Sequence, residues 1–239
     1  MLFSILQGGN PREVIINLLL IIPVVLISLS VHEAAHGYVA HKLGDHTAYF
    51  MGRVTINPAK HLDPIGSLFM LVFGYGWAKP VPINSRNFKN PKKGMAYTAI
   101  AGPVSNLILG VIGTILYTLS YALAFKYLLT TGAENEFIFN VLQVLMNFFF
   151  YLGFMNFVLA VFNLIPVPPF DGSRFFSLFL PTKTYFAMMK YERYIMIGVL
   201  VFMIGCSRIF GFSPFSWVAQ KIFYAIADPM FTLWEILLF

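Results

Sequence analysis

Three long stretches of this 239-residue chain carry no charged side chain, and they limit the possible fold more than any other feature. They cover residues 14–31, 94–125 and 137–163. A helix needs about 20 predominantly apolar residues to cross the hydrocarbon core of a bilayer. Charged residues make up only 11% of the chain, against about 25% in soluble domains. The sequence therefore predicts an all-α polytopic membrane protein.

Shorter segments complete the predicted architecture. Residues 194–210 and 214–238 are two weaker candidate spans. Residues 65–76 are apolar but too few to cross comfortably, so they favour a re-entrant segment. We therefore expect about five to six transmembrane or re-entrant segments. Residues 47–58 are rich in aromatic and β-branched residues and are bounded by turn formers, which predicts a small membrane-associated β-hairpin.

The distribution of basic residues predicts the orientation in the membrane. Of the 16 Lys and Arg residues, eight lie in residues 41–93 and four in residues 172–193, whereas residues 127–136 contain none. Basic loops are retained in the cytoplasm, so the first and third spans are predicted to end at the cytoplasmic face. The net charge of +6 then indicates contact with anionic lipid rather than with nucleic acid. The single cysteine, Cys206, excludes an intrachain disulfide and a Cys-based metal cluster.

A His-Glu-x-x-His motif at the end of the first span is the first candidate for chemistry. His32 and His36 are four residues apart on a helix, so they share a face and suit two ligands of one zinc ion. Glu33 is then placed to act as the general base toward a water molecule that zinc activates. Two His and one Glu are costly near the depth of a bilayer, which favours a functional role over a chance pattern.

A catalytic zinc ion has three protein ligands and one open position, so a third ligand is required. Asp171 is the best candidate, because it is an isolated carboxylate that the Pro-rich stretch 166–169 brings to the membrane face of the His pair. A helix cap or turn residue is the alternative role of Asp171. Asn163, at the end of the third span, is predicted to donate a hydrogen bond to a developing oxyanion.

The other histidines are less informative. His41 lies on the opposite helical face from the motif and His46 follows Gly44-Asp45, so both are predicted to be solvated loop residues. His61 lies in a turn-forming stretch. It either stabilises that turn or contacts substrate, and the sequence leaves both roles open.

Four blocks of the chain closely resemble the site-2 protease family of intramembrane zinc metalloproteases. The blocks are residues 32–36, 52–66, 101–106 and 163–172, and they agree with the family in order and approximate spacing. The extended stretch 76–82 resembles the short prokaryotic branch of that family. The resemblance implies that His32, His36 and Asp171 bind one Zn²⁺ per chain, that Glu33 is the catalytic acid and base, and that Asn163 assists the substrate or transition state.

The resemblance also implies a function and a location. The expected reaction is hydrolysis of a peptide bond within or near the transmembrane segment of a membrane protein. The prokaryotic style of the motifs indicates a prokaryotic plasma membrane, and the distribution of basic residues places the site toward its cytoplasmic side. The hairpin at 47–58 would pair with an unwound substrate. Residues 1–239 are expected to form one integral-membrane metalloprotease domain, with a catalytic core at about 13–175 and accessory helices at about 192–239. No PDZ or CBS regulatory domain is recognisable.

Two other classes of protein remain open. A transporter or ion channel would use the His, Glu and Asp side chains as an ion path. These polar groups, however, collect at one membrane face, and the chain has no inverted repeat. A non-catalytic relative would bind membrane proteins without cutting them, but it would have no need to keep Glu33.

Overall fold

A computed structural model of the chain describes residues 11–66, 78–132, 135–209 and 213–238. The predicted re-entrant segment at 65–76 lies almost entirely outside these residues. The described residues are mostly helical. Their helices are α1 (Pro11–Lys42), α2 (Thr47–Phe50), α3 (Pro91–Thr131), α4 (Glu136–Asn163), α5 (Asp171–Phe176), α6 (Thr182–Lys190), α7 (Glu192–Ile209) and α8 (Pro214–Leu238).

Three helices within the described part of the chain are long and apolar enough to cross a membrane. They are α1 over Ile15–Lys42, α3 and α4, which confirms the three charge-free spans predicted from the sequence. Helices α7 and α8 form where the two weaker spans were predicted, but neither is among the helices that are both long and apolar enough to cross a membrane. The predicted number of five to six transmembrane or re-entrant segments is therefore not confirmed.

The predicted β-hairpin at 47–58 is wrong. Among the described residues there is no β-strand, only an isolated antiparallel bridge between Leu62 and Ala78. Residues 47–50 form the short helix α2, because the Asp45 side chain accepts hydrogen bonds from the Thr47 backbone and hydroxyl at the start of that turn. Such local side-chain hydrogen bonds compete with strand pairing and here outweigh the β-propensity of the aromatic residues.

Helix α3 is the centre of the bundle and packs against α1, α4 and α8. Its glycines allow close approach: a Cβ atom on Gly113 would lie 2.5 Å from the backbone nitrogen of Gly153 in α4. Asn106 in the same helix is completely buried, so it faces protein rather than lipid. By holding α1 and α4 on two of its sides, α3 brings their ends to one place.

The loop after α1 is fixed by Asp45, whose side chain is buried. Besides its bonds from Thr47, the Asp45 carboxylate accepts hydrogen bonds from the Asn84 backbone (2.7 Å) and the Asn87 side chain (2.8 Å). Burial raises the pKa of the Asp45 carboxyl, but these hydrogen bonds outweigh burial and hold its pKa below the ordinary value. Asp45 is therefore a carboxylate at neutral pH, and it ties the segment that precedes α3 to the end of α1.

Candidate metal centre

His32, His36 and Asp171 converge on one point, as the sequence predicted. The Nε2 atoms of His32 and His36 lie 3.1 and 3.2 Å from Oδ2 of Asp171, and 3.0 Å from each other. Both imidazoles are buried on α1, one helical turn apart. Asp171 is the first residue of α5, which follows the Pro-rich end of α4. The ligand atoms of the three residues could hold one metal ion.

The donor set fits zinc. Ligands about 2.0–2.1 Å from a tetrahedral zinc ion are about 3.3–3.4 Å apart, close to the three separations here. His36 Nδ1 lies 2.7 Å from the carbonyl oxygen of Thr98. A carbonyl only accepts hydrogen bonds, so Nδ1 carries a proton and Nε2 is the ring nitrogen available to a metal ion.

The position of Asp171 depends on the glycine that follows it. A Cβ atom on Gly172 would lie 2.5 Å from the carbonyl carbon of Leu164 and 2.6 Å from the oxygen of Ile165. Only glycine allows the chain to fold back so closely on the end of α4. Burial raises the pKa of the Asp171 carboxyl, but the contacts with His32 and His36 outweigh burial and hold its pKa well below the ordinary range. Asp171 is therefore ionised, as a metal ligand must be.

Gly102 of α3 lies directly against the two imidazoles. A Cβ atom at this position would be 2.5 Å from Cε1 of His32 and 2.5 Å from Nε2 of His36. Contacts under about 3 Å between such atoms are not tolerated, so a larger residue would move at least one ring. The close packing of α1 on α3 at Gly102 therefore places the ligand pair.

Gly102→Ala is expected to weaken zinc binding by about 10-fold or more, because overpacking of this kind costs about 1–3 kcal/mol. Zinc content of the purified variant after dialysis against a graded zinc buffer measures the effect. Gly198→Ala is the matched control, since a Cβ atom there meets nothing within 4 Å on helix α7. Equal zinc affinity in both variants would show that Gly102 does not position the ligands.

Glu33 and Asn163 line the same cavity of about 290 Å³ as the three ligand residues. Glu33 Oε2 accepts a hydrogen bond from the backbone N–H of Val81 at 2.8 Å. The Asn163 side chain donates to the carbonyl of Leu159 in its own helix at 3.0 Å. The structure thus brings all five predicted site residues together, while the catalytic roles of Glu33 and Asn163 stay predictions.

The remaining histidines lie elsewhere. His46 is exposed as predicted, whereas His41 is half-buried in the last turn of α1, with its Nδ1 2.7 Å from that of His46. His61 is buried and its Nε2 donates to the carbonyl of Thr55 at 2.7 Å, which favours the turn-stabilising role. Sequence reasoning missed Thr98, Val81 and the role of Gly102 at the site, because each contributes a backbone atom or the absence of a side chain.

The fold and the site define a multi-span membrane protein with a His₂Asp metal centre at the end of an apolar helix. Residues 20–206 match the family model of Peptidase family M50, and the chain belongs to this family. It is 42% identical over 181 residues to YwhC of Bacillus subtilis, whose name assigns it provisionally as a zinc metalloprotease; the match covers 75% of this chain and 76% of YwhC.

Rip2 of Mycolicibacterium smegmatis, which is named in the same provisional way, is 26% identical over 184 residues. That match covers 75% of this chain but only 64% of Rip2, so the chain spans less than two thirds of this relative. Rip2 of Mycobacterium tuberculosis strain H37Rv is also 26% identical, with 63% of its length covered. No solved structure matches this chain.

Family membership settles the protein class. The predicted resemblance to the site-2 protease family is confirmed, since this is peptidase family M50. The metalloprotease class and zinc as its metal are supported by the family, by the names of the relatives and by the ligand set. Nothing in these comparisons supports the alternative of an ion channel or transporter.

Proposed function

We propose that this protein is a site-2-type intramembrane protease that cuts membrane proteins within or near a transmembrane segment. One observation carries the proposal: two metal ligands and the candidate base lie on a helix that is long and apolar enough to cross a membrane. A peptide bond reaches such a site most readily from a segment that is itself in the bilayer. The partners are therefore a membrane-protein substrate and the lipid bilayer.

Each of the residues that line the cavity has a separate role in peptide hydrolysis. Zinc held by His32, His36 and Asp171 supplies Lewis acidity toward water and toward the scissile carbonyl. Glu33 takes a proton from the attacking water and delivers it to the leaving amine nitrogen. Asn163 donates a side-chain N–H to the oxyanion that develops on the former carbonyl oxygen, in place of its bond to Leu159.

The proposed location is a prokaryotic plasma membrane, with the site toward the cytoplasm. The orientation follows from the basic residues that border the site in sequence, in segments 41–93 and 172–193. The exposed aromatic side chains of Tyr49 and Phe50, just beyond the end of α1, suit the interfacial layer of the bilayer.

The test is cleavage of defined reporters by the purified protein in liposomes. Each reporter has a single transmembrane helix between two soluble tags, and the helices differ in their content of Gly, Pro and Asn. We expect zinc-dependent cleavage that a chelator abolishes and added zinc restores, with mass spectrometry placing the cut within or near the helix. Cleavage confined to the soluble tags would refute an intramembrane function. Absence of cleavage with zinc bound would favour a non-catalytic membrane-protein-binding role.

A further inference from the structure

Arg53 is a buried cation close to the site, and the reaction described above does not use it. Its side chain is only 6% exposed. Within the described part of the chain, its guanidinium has no carboxylate partner. One terminal nitrogen, Nη2, donates to the carbonyl oxygens of Lys79 at 2.6 Å and Pro80 at 3.3 Å. Burying a charged group costs free energy, and the hydrogen bonds that the two carbonyls accept offset part of that cost for the Arg53 guanidinium.

The segment 79–81 is held from both of its sides. Arg53 binds its carbonyls, and the Lys79 backbone N–H donates to the carbonyl of His61 at 2.8 Å. The His61 imidazole in turn binds the carbonyl of Thr55, so residues 53–62 form one hydrogen-bonded frame. The next N–H along the segment, that of Val81, is the one that donates to Glu33 Oε2 at 2.8 Å.

We propose that Arg53 is a positioning residue for the general base. By fixing the carbonyls of Lys79 and Pro80, it holds the Val81 N–H against the Glu33 carboxylate and so sets the direction of the free carboxylate oxygen. The role of Glu33 in this inference rests on the proposed function. Charge-assisted hydrogen bonds to a carbonyl are strong, and a misplacement of about 1 Å at a catalytic group costs about 10²-fold in rate.

Hydrogen exchange tests the structural half of the proposal without any substrate. Prolines lack an N–H, so Val81 has the one exchangeable backbone amide in the stretch Pro80-Val81-Pro82. Arg53→Ala is expected to speed exchange at this amide by about 10-fold or more, toward the rate seen when Glu33→Ala removes the acceptor. Lys60→Ala is the control, because it removes an exposed cation from the same frame. Equal protection of Val81 in Arg53→Ala and the wild type would overturn the proposal.

Kinetics on the reporters described above test the catalytic half. Arg53→Ala is expected to lower kcat by about 10-fold or more, with KM and zinc content within about twofold of the wild type. Arg53→Lys should recover part of kcat, because an ammonium can still donate to the carbonyls without the planar fork of Arg. Losses of zinc or of thermal stability that fully account for the lost activity would assign Arg53 a structural role only and overturn the proposal.

A double-mutant cycle decides whether Arg53 acts through Val81. Val81→Pro removes the N–H, while Val81→Ala keeps it and measures the effect of the shorter side chain alone. If Arg53 acts through this N–H, Arg53→Ala lowers kcat little further in the Val81→Pro background. Fully additive losses would contradict the proposal. A wild type that cuts no reporter would count against the proposed function, whereas the exchange experiment would still decide the coupling of Arg53 to Val81.

Discussion

Replacing Glu33 by Gln is expected to leave zinc bound while lowering the rate of reporter cleavage by about 10²–10⁴-fold. Gln keeps the size of the side chain and the surrounding packing. It cannot take a proton from water, and its amide nitrogen would be repelled by the Val81 N–H if it replaced Oε2. The metal ligands His32, His36 and Asp171 are unchanged, so metal content and catalysis should separate in this variant.

The measurement combines zinc content per chain with initial rates on the same reporters. Glu136→Gln is the matched control, because it makes the same chemical change at an exposed position in the first turn of α4. Wild-type rates in Glu33→Gln would remove Glu33 from the mechanism. The inactive, zinc-loaded variant is also the reagent for finding substrates, since uncut membrane proteins should accumulate or co-purify with it in the native host.

Asp171→Ala is expected to lower zinc affinity by more than about 100-fold, since loss of even an outer-sphere partner costs about 10–100-fold. The variant keeps the two imidazoles but loses the carboxylate that neutralises much of the charge of the ion in a largely buried site. Cleavage should fall at least in proportion to the zinc that is lost.

Zinc titration of the purified variant measures the affinity directly. Asp228→Ala, which removes an exposed carboxylate from α8, should bind zinc as the wild type does. One tightly bound zinc ion per chain in Asp171→Ala would exclude Asp171 from the ligand set and leave the cap or turn role as its explanation.

The spans and the metal ligands could be predicted because their signals are local. Charge-free runs define α1, α3 and α4, and the spacing of His32 and His36 defines a shared helical face. The short helix α2 was predicted as a strand because the Asp45 side chain that starts it is held by partners that are distant in the sequence. Asp45, which starts that helix, is itself fixed by Asn84 and Asn87, about 40 residues further along the chain. The β-propensity of residues 47–58 contains no information about those partners.

The parts of the site that were missed share a different physical cause. Thr98 contributes a carbonyl and Val81 an N–H, and every residue type except proline could supply both. Gly102 contributes the space beside the imidazoles. In the sequence alone, this glycine indicates close helix packing but not which side chains it packs against. Side-chain chemistry identifies ligands and bases, whereas the backbone groups that orient them become visible only in three dimensions.

The ligands come from helices that are far apart in the sequence: His32 and His36 lie on the first span, and Asp171 is the first residue of α5. A metal ion bound by all three is therefore a cross-link between His32 and His36 near the start of the chain and Asp171 much later in it. Because zinc binds the assembled site far better than an open chain, it stabilises the packed bundle by mass action. During insertion into the membrane, the site is incomplete until α4 has been inserted, because Asp171 follows α4 in the chain. The metal centre therefore cannot form before α4 and the start of α5 have packed against α1 and α3.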